Sequence, residues 1–359
     1  MEEWGPEGIG LFLARQLSGV FDVEEWHLHG GAVRFRGTLL ASPEKTLDVL
    51  RQRLEPYQFI PLLSSPREIL VFPAPALATG AGPEKPWPQV VLFAATVLTT
   101  LFVGALQAGV DPIADPTHLL AGLPFSVSLL SILLVHEMGH YFVARRYGVR
   151  VTLPYFIPVP LGIGTFGALI RMKSPIVDRR SLFDIGIAGP VAGLCLAIPI
   201  LMIGLRFSDI VPAGSRLGDP LGTSLLFDLV VEATLGPLAD GMTVFLHPAA
   251  SAAWFGFFIT ALNLLPLGQL DGGHIAYALL GRHAEKVAFM TAIILLFLGV
   301  VVWPGWLMWG FLAFMLGLKH PPPLNDVTPL DAVRRAFAVG AFILLLCLIT
   351  PSPFPRPDF

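Results

Sequence analysis

Charge is scarce in this chain. Only 14% of its 359 residues are Asp, Glu, Lys or Arg, where an ordinary soluble domain carries about 25%. Apolar residues make up 54%. That balance leaves too little polar surface to cover a water-soluble fold and points to a polytopic membrane protein. Cysteine is nearly absent. Cys195 and Cys347 stand far apart within apolar runs and form no CxxC pair, so neither a disulfide framework nor a cysteine zinc site is indicated. No basic block occurs and the formal charge is −3, which gives nucleic acid no footing as a partner. The opening residues, MEEWGPEGIG, are acidic and lack the basic-then-apolar layout of a signal peptide. They are also poor in Arg and Ser, so a transit peptide is not expected here.

Residues 1–84 read as a small α/β domain followed by a linker. Residues 32–40 alternate apolar and polar at first, as a half-buried strand does. Ser42-Pro43 reads as a helix cap with Pro at the first helical position. The helix that follows, through residue 54, places Leu47, Leu50 and Leu54 on one face. Residues 59–63 and 68–72 are candidate strands. His27 and His29 alternate as on a strand and read as surface or satisfied histidines. Residues 73–88, rich in Pro, Gly and Ala, read as the linker.

Seven apolar stretches follow, at about 87–109, 117–145, 181–206, 249–266, 284–303, 304–318 and 331–350. A bilayer-spanning helix needs about 20 apolar residues. The sixth stretch is short and tightly joined to the fifth through Trp303-Pro304-Gly305, so the expectation is a polytopic α-helical membrane protein of six to seven transmembrane helices. Residues 85–350 form the membrane domain and 351–359 a tail. Residues 145–180 hold Arg145, Arg146, Arg150, Arg171, Lys173, Arg179 and Arg180, whereas 110–116 and 207–248 are mostly acidic. The positive-inside rule then puts 145–180 and the N-terminal domain in the cytosol, with the C-terminus opposite. A bacterial cytoplasmic membrane is the expected residence. Within 207–248, residues 221–236 read as an outside-face amphipathic helix.

One of the apolar stretches carries His136-Glu137-Met138-Gly139-His140. Residues i and i+4 share a helix face, so the two imidazoles can grip one metal ion, with Glu137 beside them as general base toward a bound water. Ionised groups at the bilayer centre cost about 2.5–3.5 kcal/mol each on insertion scales, so a chance occurrence here is a poor explanation. Zinc suits two histidine nitrogens plus a carboxylate, with one position left open. The third ligand is sought in Asn263-Leu264-Leu265-Pro266-Leu267-Gly268-Gln269-Leu270-Asp271-Gly272-Gly273-His274. Asp271 is the leading candidate and His274 its rival. Pro266 is expected to break the helix, and Gly272 and Gly273 to let the backbone turn Asp271 inward.

HEMGH in one span, NLLPLGQLDGG in a later one and the Gly-Pro run of residues 185–193 between them resemble the site-2 protease family of intramembrane zinc metalloproteases, in its plastid and bacterial branch without a PDZ domain. The resemblance covers about residues 87–320. It implies that His136, His140 and Asp271 bind one Zn2+ and that Glu137 activates water and shuttles its proton. It further implies that Asn263 holds substrate or the oxyanion, a task a carboxamide near zinc can also perform on chemical grounds. The substrate it implies is the transmembrane segment of a single-pass membrane protein, cut in regulated intramembrane proteolysis. Many relatives have a second proline where this chain has Gly268. Residues 153–170 are too apolar for an aqueous loop and too rich in Pro and Gly for a helix, so they read as a membrane-dipping hairpin. Its Gly164, Thr165, Phe166 and Gly167 are candidates for pairing with an unwound substrate as an added strand. The competing reading is a metal transporter using the same His and Asp residues as ion ligands.

Overall fold

The computed structural model describes residues 6–74, 86–214 and 221–354. Most of the expected linker and the end of the tail, residues 75–85 and 355–359, lie outside the described residues.

Helix α1 (Pro6–Leu17) and strands β1 (Phe21–His29) and β2 (Ala32–Leu39) open the chain. The Ser42 hydroxyl then accepts the Lys45 amide, and Pro43 starts α2 (Pro43–Leu54) as the capping signal implies. β3 (Phe59–Ser65) and β4 (Glu68–Pro73) complete an antiparallel sheet of order β1-β2-β4-β3. Leu13 and Leu17 of α1 and Leu47, Leu50 and Leu54 of α2 bury against Phe21, Phe35, Leu63 and Val71 of the sheet. Each such side chain contributes about 1.5–3 kcal/mol when fully buried. α1 has no counterpart in the sequence reading. Gly8 and Gly10 dilute its helical signal, yet Gly10 is where Trp26 of β1 lies flat on the helix: a Cβ there would sit 2.3 Å from the indole.

The sheet does not end at β3. Residues 324–326 run alongside it: the Leu63 amide donates to the Leu324 carbonyl (2.7 Å) and the Asp326 amide to the Leu63 carbonyl (3.0 Å). On its other side this segment pairs with the approach to the next long helix, Leu324 donating to Ile176 (3.0 Å) and Asn325 to Val177 (2.8 Å). Leu324 packs into the N-terminal core.

The apolar runs become helices: α3 (Trp87–Gln107), α4 (Leu123–Arg146), α5 (Arg179–Arg206), α7 (Pro248–Leu264), α9 (Ala284–Val301), α10 (Gly305–Leu316) and α11 (Ala332–Leu348). Between them lie β5 (Tyr155–Pro158), β6 (Thr165–Leu169), β7 (Asp209–Pro212), α6 (Leu225–Leu235), β8 (Met242–Phe245) and α8 (Asp271–Leu280). Among the described residues, four stretches are long and apolar enough to cross a membrane: Trp87–Gln107, Pro116–Arg146, Arg179–Arg206 and Asp271–Val301. The second begins with a 3-10 run, Pro116–Gly122. The fourth joins α8 to α9 through the short turn Gly281–His283. α6 answers to the amphipathic helix expected over 221–236, whereas the β7–β8 hairpin has no precursor in the sequence reading.

α4, α5 and α7 form the centre. Phe125, Leu129, Ile132 and Leu133 of α4 pack with Leu194, Ala197 and Leu201 of α5 and Ala252, Ala253 and Phe257 of α7. Small residues set the close approaches, as between apolar helices generally. A Cβ on Gly139 would lie 2.6 Å from the Ala188 carbonyl, and one on Gly204 2.5 Å from the Ala250 amide.

The helices have two ends, and side-chain and backbone contacts define each. At one, β3, residues 176–178 and residues 324–326 are paired. At the other, the Gly222 amide donates to the Pro353 carbonyl, Trp254 Nε1 to Gly222 and Trp306 Nε1 to Pro351. α10 therefore runs from the second end toward the first and α11 returns.

Candidate metal centre

α4 sets His136 and His140 one turn apart on a single buried face, at 4% and 5% exposure. α7 stops at Leu264, because Leu265 precedes Pro266 and takes the extended conformation that proline imposes on its predecessor. A loop of six residues, 265–270, follows Leu264, and α8 begins at Asp271 itself. Gly268 carries the left-handed turn in that loop (φ 46°). Gly272 and Gly273 are plain helical residues of α8, which corrects their expected role as hinges. Their lack of a side chain lets the first turn of α8 lie on the end of α7: a Cβ would meet the Leu264 carbonyl at 2.0 Å and the Gly268 carbonyl at 2.3 Å.

This brings three donors together. His136 Nε2 lies 3.2 Å from Asp271 Oδ2, His140 Nε2 3.2 Å from Asp271 Oδ1, and the two Nε2 atoms 3.2 Å from each other. His140 Nδ1 lies 2.7 Å from the Ile185 carbonyl, which can only accept, so Nδ1 carries the proton and Nε2 keeps its lone pair for the shared point. Such acceptor atoms repel unless a proton or cation sits among them. Four-coordinate zinc with bonds of about 2.0–2.1 Å holds its ligand atoms about 3.3 Å apart, so the spacing fits a tetrahedral ion. The amide nitrogen of Asn263, in the last turn of α7, reaches the same point, 3.4 Å from His136 Nε2. Glu137 is buried at 6% exposure, against the Ile170 amide just past β6. His274 stands apart from the cluster, its Nδ1 bonded to His320 Nε2.

α5 closes the site from the side. A Cβ on Gly189 would lie 2.0 Å from His140 Nε2, and one on Gly193 3.2 Å from His136 Nδ1. The Gly-Pro run thus provides a bare helix surface against which both imidazoles lie. The Ile185 carbonyl is a partner that sequence reasoning did not find, because no side chain announces it.

The hairpin forms as β5–β6, with Tyr155 opposite Leu169 and Phe156 opposite Ala168. Of its four singled-out residues, three are buried: Gly164, Thr165 and Gly167. The Gly164 carbonyl accepts from Thr99 Oγ1 of α3 (2.7 Å), and the Thr165 hydroxyl is buried, bonded to the Ile157 carbonyl and the Gly167 amide. Phe166 is 80% exposed, and Gly167 sits at φ 95°. Gly167 is buried, its amide and carbonyl both bonded to the Thr165 hydroxyl, so Phe166 is the one of the four left exposed.

Comparison with known proteins places this geometry. Residues 124–303 match the model of Peptidase family M50. The chain is 38% identical over 239 residues to "Probable zinc metalloprotease EGY1, chloroplastic" of Oryza sativa subsp. japonica, covering 64% of this chain and 41% of that protein. It is 31% identical over 357 residues to "Probable zinc metalloprotease EGY2, chloroplastic" of Arabidopsis thaliana, covering 93% and 62%. A further EGY2 relative, from Oryza sativa subsp. indica, is 30% identical over 375 residues, covering 98% and 67%. The chain thus spans about two fifths of the length of the rice EGY1 protein and some two thirds of the EGY2 proteins. No solved structure matches. The printed names place these relatives in chloroplasts and give no support to a bacterial cytoplasmic membrane. The matched region holds α4, α5, α7, α8 and α9, all the residues of the donor cluster among them, and with its long apolar helices this polytopic membrane chain belongs to Peptidase family M50, the site-2 protease family.

Proposed function

We propose that the chain is an intramembrane zinc-dependent endopeptidase that hydrolyses a peptide bond within a membrane segment of another protein. The observation that carries this reading is the mutual 3.2 Å spacing of His136 Nε2, His140 Nε2 and the Asp271 carboxylate inside a helical bundle. The relatives' names as zinc metalloproteases support the choice of metal. In this reading His136, His140 and Asp271 hold Zn2+, which when bound supplies Lewis acidity toward a carbonyl and makes a water acidic enough to attack at neutral pH. Glu137 takes up that water's proton at its carboxylate and passes it to the leaving amine nitrogen. Asn263 Nδ2 donates a hydrogen bond to the oxygen that gains charge. The helices around the site exclude bulk water, which strengthens each of these interactions.

A membrane-spanning substrate helix hides its own carbonyls, so it must unwind before it is cut. The edge of β6 around the exposed Phe166 offers the unwound stretch backbone partners in the manner of an added strand. A single-pass protein is the simplest substrate, since its one helix can enter from the lipid without unpacking from neighbours. The basic segment 145–180 and the N-terminal domain lie on the untranslocated face by the positive-inside rule. The transporter reading asks for ligands strung along a path through the bundle, and the three donors instead gather at one point. The test is Glu137→Gln in purified full-length protein. It should retain one zinc per chain and lose cleavage by about 10²–10⁴-fold, whereas His136→Ala should lose both. Undiminished cleavage by Glu137→Gln, or zinc flux across proteoliposomes without any cleavage, would overturn the assignment.

A further inference from the structure

Asp271 is the one proposed ligand that does not lie on α4, so its position depends on how α8 is held. Residues Asp271, His274 and Tyr277 recur at a spacing of three and share one side of that helix, and Gly281 follows directly past its end. Each of the three beyond Asp271 meets a distant part of the chain. His274 Nδ1 is bonded to His320 Nε2, and the His320 ring also stacks on Tyr277 with centroids 4.7 Å apart. The Tyr277 hydroxyl donates to Asp326 Oδ2 at 3.0 Å. Gly281, at φ 58°, leaves room for the guanidinium of Arg179: a Cβ there would lie 2.5 Å from Arg179 Nη2.

Asp326 joins these contacts. Its carboxylate is 2% exposed and accepts from two elements at once, Arg179 Nε of α5 at 2.8 Å and Tyr277 of α8. A buried carboxylate is tolerated only when its lone pairs are taken by such donors, and removal of one donor is felt by the others. Its own backbone is the strand that extends β3, so the residue that ties α5 to α8 also belongs to the docking edge of the N-terminal sheet. α5 and α8 touch directly at a second point nearer the donors: a Cβ on Gly186 would meet His274 Cβ at 2.9 Å. With α8 clamped on both sides, a shift at Asp326 is passed on as a rotation of α8 about the Gly186 contact.

We propose that Asp326 is a positioning residue for the metal centre. It sets the rotation of α8, and through it the Asp271 carboxylate against His136 and His140, and it couples that setting to the seating of the N-terminal domain. The proposal rests on the reading of Asp271 as a metal ligand. Under it the N-terminal domain acts on the centre through residues 320–326, without touching it.

Asp326→Asn and Tyr277→Phe in the full-length detergent-solubilised chain test this, the second removing a single hydroxyl and keeping the ring. Zinc affinity is read by competition with a chelator, and docking by hydrogen exchange at the Leu63 amide. Both variants should bind zinc about 10-fold more weakly, the lower end of what loss of an outer partner costs a metal site. Tyr277→Phe should do so with the Leu63 amide still protected, which a general loss of stability would not produce. Wild-type zinc affinity in Tyr277→Phe, or in a folded Asp326→Asn whose Leu63 amide exchanges faster, would overturn the coupling and leave a docking contact only. Absence of zinc uptake by the wild-type chain, with Leu63 protected, would instead overturn the ligand reading beneath it.

Discussion

A single missing methyl group decides where His140 can stand. On α5, Gly189 faces the imidazole so closely that a Cβ would lie 2.0 Å from Nε2, with the ring carbons at 2.4 and 2.6 Å. The ring cannot back away, because its Nδ1 is committed to the Ile185 carbonyl one turn earlier on the same helix. Gly189→Ala therefore forces either that hydrogen bond or the Nε2 position to give. Second-partner losses of this kind cost about 10–100-fold in metal affinity, and the variant should show that loss in chelator competition while remaining helical and folded. Gly193 tolerates more, since its nearest ring atoms are 3.2 Å away. Gly193→Ala should weaken zinc less than Gly189→Ala does, and the reverse order would contradict the geometry. The Gly-Pro run was legible in the sequence as a motif, but its work was not: the rings it accommodates stand some fifty residues upstream, on a different helix.

Among the elements, the β5–β6 hairpin is the one proposed to meet the substrate. Phe166→Pro removes a backbone N–H and fixes φ near −65° at the free edge. The proposed zinc donors sit on α4 and α8, so the variant should keep its metal and cut substrate more slowly. Loss of zinc in parallel would mean that the hairpin is scaffolding for the bundle. Gly167 is the wrong residue for that experiment, because its φ of 95° excludes proline outright and the whole turn would distort. Elements like these were readable to the extent that their signals are local. The HExxH pair lies within one helical turn, α2 announces itself by Ser42-Pro43, and each apolar run became a helix within a few residues of its expected ends. Asp271 was within reach because loop charges put it at the same depth as the histidines. Local signals fail for residues 318–330, a Pro-rich loop on its face. Asp326 takes its meaning from Arg179, 147 positions away, and from Tyr277, 49 away. The β7–β8 hairpin escaped for the same reason, since Asp209 finds its partner only at Phe245.

For the molecule as a whole, the contacts at its two ends bear on a question that composition left open, whether α10 crosses the bilayer. Its 12 residues are about 18 Å long, well short of a hydrocarbon core of about 30 Å. Yet Trp306 at its start is bonded to Pro351 at one end of the bundle, while residues 324–326, a few positions past its finish, are paired to β3 and to residues 176–178 at the other. A chain that leaves one end of the bundle at Trp306 and arrives at the opposite end by Leu324 traverses the bundle. The shortfall in length is made up by the non-helical residues 317–323, of which His320 lies against Tyr277 and His274 while Gly317, Lys319, Pro321 and Pro322 are exposed. α11 then makes the return, and Gly222 receives its end. This arrangement predicts a definite pattern for impermeant thiol labelling of single cysteines, in a background with Cys195 and Cys347 replaced. Sites at Ser174 and Asn325 should report from the face of the N-terminal domain, Asn325 weakly because it is 1% exposed. Sites at Asp240 and Ser352 should report from the opposite face. Labelling of Ser174 and Ser352 from the same side would mean that α10 turns back within the membrane, and the pairing of residues 324–326 with the N-terminal sheet would then have no common face on which to form.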